Sequence, residues 1–160
     1  MSETIIGYIN SIPRNELIVL ERDVQQVTPF GFKFTDELKL YNYPESHFQR
    51  SDIVQFLISD SNESNTATIL LEEEYYDPND ESESDFRKKF PSMLKERIFE
   101  ITKIIKYLVQ QDCVRELGFS ISFCDEIEQI KHASIESFEN TVVADCINSC
   151  PPNTLYLIDK

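Results

Sequence analysis

The chain has 160 residues, 41% of them hydrophobic, and a formal net charge of −14. Its length suits one domain that buries a core without disulfide or metal staples, and its apolar content excludes an intrinsically disordered acidic chain. A field of this sign repels nucleic-acid phosphates and anionic membranes, and it speeds encounter with basic proteins. We therefore expect a protein partner, and neither nucleic acid nor a membrane.

The N-terminal third predicts strands and turns. Short β-rich runs cover 4–9 and 16–20, with turn-forming residues at 10–15 between them. Phe30, Phe32 and Phe34 alternate with Gly31 and Lys33, which predicts a half-buried strand at 30–34. We expect 37–43 to pair with that strand, and 45–50 to form one short helical turn after Pro44.

The middle of the chain predicts a β-hairpin. Apolar runs at 52–59 and 66–76 flank the polar, turn-forming segment 60–65. Within the second run Ala67, Ile69 and Leu71 share one face of the predicted strand.

The C-terminal half predicts two helices and two strands. A helix begins near Pro91, because apolar residues then recur at steps of three and four: Leu94, Ile98, Ile101, Ile105 and Leu108. The run 117–124 alternates large apolar residues with small polar ones, which predicts a strand with one core face and one small, polar face.

Ser134 is predicted to cap the second helix, whose apolar stripe is Ile135, Phe138, Val142 and Cys146. Pro151 and Pro152 end that helix, and 154–158 predicts a final strand. The expected fold is α+β: one domain over 1–160 with a largely antiparallel, twisted β-sheet packed against two main helices. An acidic loop, 72–86, lies between the hairpin and the long helix.

The acidic loop is the most distinctive segment of the sequence. It holds eight carboxylates and no Lys or Arg before Arg87, and the wider segment 45–86 has twelve acids and one base, a charge of −11. Two interpretations stay open: a solubilising loop, or a surface that binds a basic partner. The predicted partner-binding residues are Glu72, Glu73, Glu74, Tyr75, Tyr76, Asp77, Asp80, Glu81, Glu83 and Asp85.

The acidic loop does not match an EF-hand calcium site. Counted from Asp77, position six is Ser82 where the motif needs Gly, and position twelve is Lys88 where it needs Glu. The four cysteines contain no C-x-x-C pair, so the usual structural zinc signature is missing as well. We therefore predict no metal and no cofactor, and we expect the cysteines to be small, mainly buried hydrophobes.

Catalytic signatures are missing too. His47 and His132 are the only histidines, and neither lies in a recognisable nucleophile–base motif. Three glycines form no phosphate-binding loop. We therefore expect no enzyme activity, and the lack of a visible secretory signal predicts a cytoplasmic protein.

In character the chain resembles the immunity proteins of bacterial toxin–immunity pairs, including those of contact-dependent growth inhibition systems. The resemblance depends on the segment EEEYYDPNDESESD (72–85), the single-domain length and the missing catalytic signatures. It implies a small non-catalytic protein that neutralises a toxin, often a basic nuclease, by stoichiometric binding. The alternative is a cytosolic regulatory or adaptor domain whose acidic loop only solubilises it.

Overall fold

The computed structural model describes residues 3–35, 43–59, 94–123 and 126–160. The strands are β1 Glu3–Asn10, β2 Gly31–Thr35, β3 Ile53–Ser59, β4 Leu117–Phe123, β5 Gln129–Ser134 and β6 Thr154–Asp159. The helices are α1 Arg14–Val27, α2 Glu45–Phe48, α3 Leu94–Val109 and α4 Phe138–Asn148. The expected α+β domain is confirmed, with three substantial helices where the sequence predicted two.

The described strands form a six-stranded sheet in the order β2-β3-β1-β4-β6-β5. All neighbours are antiparallel except β5 and β6, which are parallel. The first four strands, with α1 and α3, follow the β-α-β-β-α-β connectivity of ferredoxin-like sheets. The parallel β5-α4-β6 unit then extends that sheet beyond β4.

The sheet is buried on both faces. Its first face packs against α1, α3 and α4 in the larger core, which includes Ile5, Val24, Ile105, Phe119 and Val142. Its second face carries a smaller core of Ile6, Tyr8, Leu57 and Leu155, covered by Tyr43 and by Phe48 of α2.

The run 16–20 is part of α1, so its assignment as a strand is wrong. Helical hydrogen bonding begins at Pro13, whose C=O accepts from the N–H groups of Glu16 and Leu17. Leu20 and Val24 are the buried residues of α1. The spacing Leu17, Leu20, Val24 fits a helical stripe, which Ile18 and Val19 obscure by making the run continuously apolar.

The small, polar face of β4 lies in the second core, where Ser120 and Ser122 are fully buried. Two further expectations need correction. Strand β5 was not predicted, and α4 begins at Phe138 after Ser137, so Ser134 is not its cap.

Both sides of β3 are occupied, by β1 and β2, and the predicted hairpin therefore has no place there. The predicted strands at 37–43 and 66–76 lie almost wholly outside the described residues.

Candidate functional site

The predicted partner-binding residues lie outside the described part of the chain. This holds for all eight carboxylates from Glu72 to Asp85 and for Tyr75 and Tyr76, so their role stays a prediction. The same is true of Cys124.

A groove of about 430 Å³ lies between α1 and the β2–β3 side of the sheet. Its apolar lining is Ile12, Leu17, Ile18, Phe34 and Val54. Polar groups come from Arg14, Glu21 and Thr35. This volume falls within the range of ligand-binding clefts, and an apolar lining with a few charged groups suits a partner side chain.

A second, smaller groove of about 260 Å³ runs along the other side of α1. Val19 and Leu20 contribute to its lining with the carboxylates of Glu16 and Asp23. Between the two grooves Ile18 and Val19 are 61% and 45% exposed. We call these two residues with the two grooves the α1 surface. Contiguous exposed apolar surface is a feature of protein-interaction sites.

The charges of helix α1 nearly balance. Arg14 and Arg22 oppose Glu16, Glu21 and Asp23, a net charge of −1 over the helix, and of these five residues only Arg22 lines neither groove. The Arg22–Asp23 ion pair, at 3.3 Å, is solvent-exposed and contributes little stability. Glu21 is engaged inside the protein, since its Oε2 accepts a hydrogen bond from the N–H of Phe34. The α1 surface thus offers apolar contact more than charge.

A hydroxyl cluster lies in the second core. The Oγ of Ser120 donates to the C=O of Ile6 and lies 3.2 Å from the hydroxyl of Tyr43, which lies 3.1 Å from Ser122 Oγ. Tyr8 meets Nδ1 of His47 at 3.2 Å. Burial, together with the negative charge of Glu116, raises the pKa of Tyr8 to about 12 although Arg50 opposes the shift. A buried phenol held neutral in this way secures the segment around α2 to the sheet.

An exposed ion cluster joins the ends of β3 and β4. Arg50 forms a bidentate pair with Asp52, at 2.9 and 2.7 Å, and also contacts Glu116. Hydrogen bonds to Glu116 and Asp52 raise the pKa of Arg50, and the hydrogen bond from Arg50 lowers the pKa of Asp52. Because these groups face solvent, the cluster fixes geometry more than it adds stability.

A third polar group ties α4 to the sheet. Asp145 accepts hydrogen bonds from Nζ of Lys131, at 2.8 Å, and from the hydroxyl of Tyr156, at 2.9 Å. Burial, and then this hydrogen bond, raise the pKa of Tyr156. Each charged or polar member has its partner inside the protein, so we assign the group a structural role.

The cysteines lie in different environments, with Cys146 buried, Cys113 half-buried and Cys150 exposed. Within the described ranges, no group of three or more His, Cys, Asp or Glu side chains could hold a metal ion. Among the described helices, none is both long and apolar enough to cross a bilayer.

Compared with models of protein families, with curated proteins and with solved structures, the chain matches none of them. The α1 surface was missed because the exposure of an apolar residue leaves no mark in the sequence. One signal could have found α1 itself: Pro13 directly before a stripe at helical spacing.

Proposed function

We propose that this chain is a non-catalytic protein-binding inhibitor that neutralises a basic, nuclease-like toxin by stoichiometric binding, as immunity proteins do. The observation that carries the proposal is the adjacent exposure of Ile18 and Val19 between two grooves. Apolar side chains that become buried on binding supply affinity, whereas the net charge of −14 favours a basic partner and accelerates its docking.

The acidic segment 72–86 is proposed as the second part of the interface. Its carboxylates would pair with Lys and Arg of the toxin, and Tyr75 and Tyr76 would supply aromatic anchors. Acids placed where a nuclease holds its phosphates would also block that site.

The near-neutral charge of helix α1 favours one alternative, a regulatory or adaptor domain. In that case the α1 surface alone binds the partner, and the acidic segment only solubilises the chain. Replacing the eight carboxylates from Glu72 to Asp85 with amides separates the two functions. The inhibitor loses affinity and salt dependence, whereas the adaptor binds unchanged.

Co-expression with the product of the adjacent gene tests the proposal. We expect that product to arrest growth alone, and to be neutralised and co-purified one-to-one with this chain. A neighbour that is harmless alone, or one that still kills in the presence of this chain, contradicts the proposal.

A further inference from the structure

The two edges of the described sheet are treated differently. At the β2 edge, α1 binds two of the outward backbone groups: Glu21 accepts from the N–H of Phe34, and Nε2 of Gln25 donates to the C=O of Phe32 at 3.0 Å. At the opposite edge β5 pairs with β6 alone, and among the described residues no strand covers its outer side. Unpaired edges tend to recruit further strands, which is why proteins usually block them.

The alternation of hydrogen bonds shows which β5 groups face outward. In an antiparallel ladder successive residues point alternately toward one neighbour and the other. The N–H of Phe34 points away from β3. When the alternation is applied to each strand pair in turn from β2 to β6, the backbone N–H and C=O groups of Leu155 and Leu157 point toward β5. In the parallel β5–β6 pair, the backbone groups of Lys131 therefore point toward β6. The N–H and C=O groups of Ile130, His132 and Ser134 point outward, away from β6.

Ser134 is already satisfied, since its N–H donates to Ser137 Oγ and its C=O accepts from the N–H of Ser137. Within the described part of the chain, the outward backbone groups of Ile130 and His132 have no such partner, and these groups could pair with an added strand. The side chain of Ile130, 45% exposed, lies beside buried Leu155 on the second face. An added strand would bury Ile130 and so extend the second core.

The charges around this edge select its occupant. Exposed carboxylates flank both ends, with Glu126 and Glu128 before β5 and Glu136 after it. The one Lys of β5, Lys131, is paired with Asp145. Two antiparallel copies of this chain would place acidic ends opposite one another, each copy with a net charge of −14. A basic strand meets the opposite charge at both ends.

We propose that the outer edge of β5 binds an extended, basic segment of a protein partner by β-strand addition, with hydrogen bonds to Ile130 and His132 and burial of the Ile130 side chain. The expected positive charge of the partner rests on the proposed function. The choice of the β5 edge rests on the sheet topology and does not depend on that function.

A synthetic peptide of alternating Lys and Val tests the edge, with an alternating Glu and Val peptide as the control. We expect the Lys peptide to bind, to shift the amide resonances of Ile130 and His132, and to slow their hydrogen exchange. Equal binding of both peptides, shifts confined to another surface, or no binding of the Lys peptide overturns the proposal.

A pair of variants separates backbone from side chain. Ile130→Pro removes the outward N–H, which makes no bond to β6, and Ile130→Thr keeps it. We expect Ile130→Pro to weaken peptide binding about tenfold and Ile130→Thr to weaken it less. Equal affinities for Ile130→Pro and the unaltered chain overturn the proposal, as does self-association of the chain through this edge. If Ile130→Pro does not fold, the resonance shifts of the unaltered chain still decide.

The edge and the proposed function fail in distinguishable ways. A toxin that binds with full salt dependence but leaves the amide resonances of Ile130 and His132 unshifted refutes the edge alone. A Lys peptide that binds at β5, while the adjacent gene product is not neutralised, refutes the function alone.

Discussion

The carboxylate of Glu21, on α1, accepts a hydrogen bond of 2.8 Å from the backbone N–H of Phe34, on the edge strand β2. This contact occupies one outward backbone group of β2 and holds α1 against that strand. It also defines one wall of the larger groove of the α1 surface. The side chain that binds this edge strand thus also lines a candidate binding site.

Replacing that acceptor is expected to destabilise the fold. Glu21→Ala leaves the N–H of Phe34 without its partner, and we expect the free energy of unfolding to fall by about 1 kcal/mol. Glu21→Gln keeps an oxygen acceptor and is expected to cost less. Urea denaturation of the three proteins measures the difference, and equal losses for the two variants would show that the hydrogen bond is unimportant.

Gly7 is required by close packing across β1. A Cβ at this position would collide with Cζ of Phe56 and would lie 2.6 Å from the C=O oxygen of Gly118. We expect Gly7→Ala to lower the free energy of unfolding by about 1–3 kcal/mol, because overpacking a core has a cost of this size. Adding Phe56→Leu is expected to recover part of that loss, because it relieves the ring contact but not the backbone one. A double variant that adds the two single losses would contradict this account.

Tyr8 is expected to make the protein sensitive to alkali. Its pKa is raised from the ordinary value of 10.0 to about 12 in the fold, so above pH 10 the unfolded chain releases a proton that the folded chain retains. Stability from this group is complete below pH 10 and is lost as the pH rises toward 12.

Tyr8→Phe removes the pH-dependent stability that comes from the Tyr8 hydroxyl. The pKa of Tyr156 is also raised, but Tyr156 is present in both the unaltered chain and the variant and affects them alike. Unfolding free energies measured across the same pH range are expected to fall less steeply for the variant. Parallel curves would rule out the assigned role of Tyr8.

Exposed isoleucines offer a matched test of the α1 surface. Ile18 and Ile147 are 61% and 66% exposed, on α1 and α4. Ile18→Ala is expected to weaken partner binding by about 1 kcal/mol or more, because its apolar area is buried on association. Ile147→Ala removes the same atoms elsewhere and is expected to leave affinity unchanged. Calorimetric titration of each variant measures both effects, and equal affinities would remove the α1 surface from the interface.

The elements that the sequence predicts correctly have strongly apolar patterns. In helix α3 the apolar stripe matches the buried face, whereas β1 and β4 are short β-rich runs that are buried on both faces of the sheet. In α1 the pattern fails because Ile18 and Val19 are exposed, and thus add apolar residues where the helix has its solvent face. In β5 it fails because an edge strand such as Gln129–Ser134 needs little apolar surface, so alternation is weak.

The candidate site could be predicted only in part. Charge and composition predict a protein partner, but the position of a binding surface depends on which side chains are exposed together. Glu21 and Phe34 come together only because α1 lies across the sheet edge, and no spacing in the sequence reveals that contact.

The most direct test of the central claim, that this acidic chain binds a basic protein stoichiometrically, is calorimetric titration with the adjacent gene product at low and at high salt. We predict one-to-one binding whose affinity falls as salt rises, because opposite charges on the two proteins are then screened. Absence of binding, or a one-to-one affinity that does not change with salt, would contradict the claim.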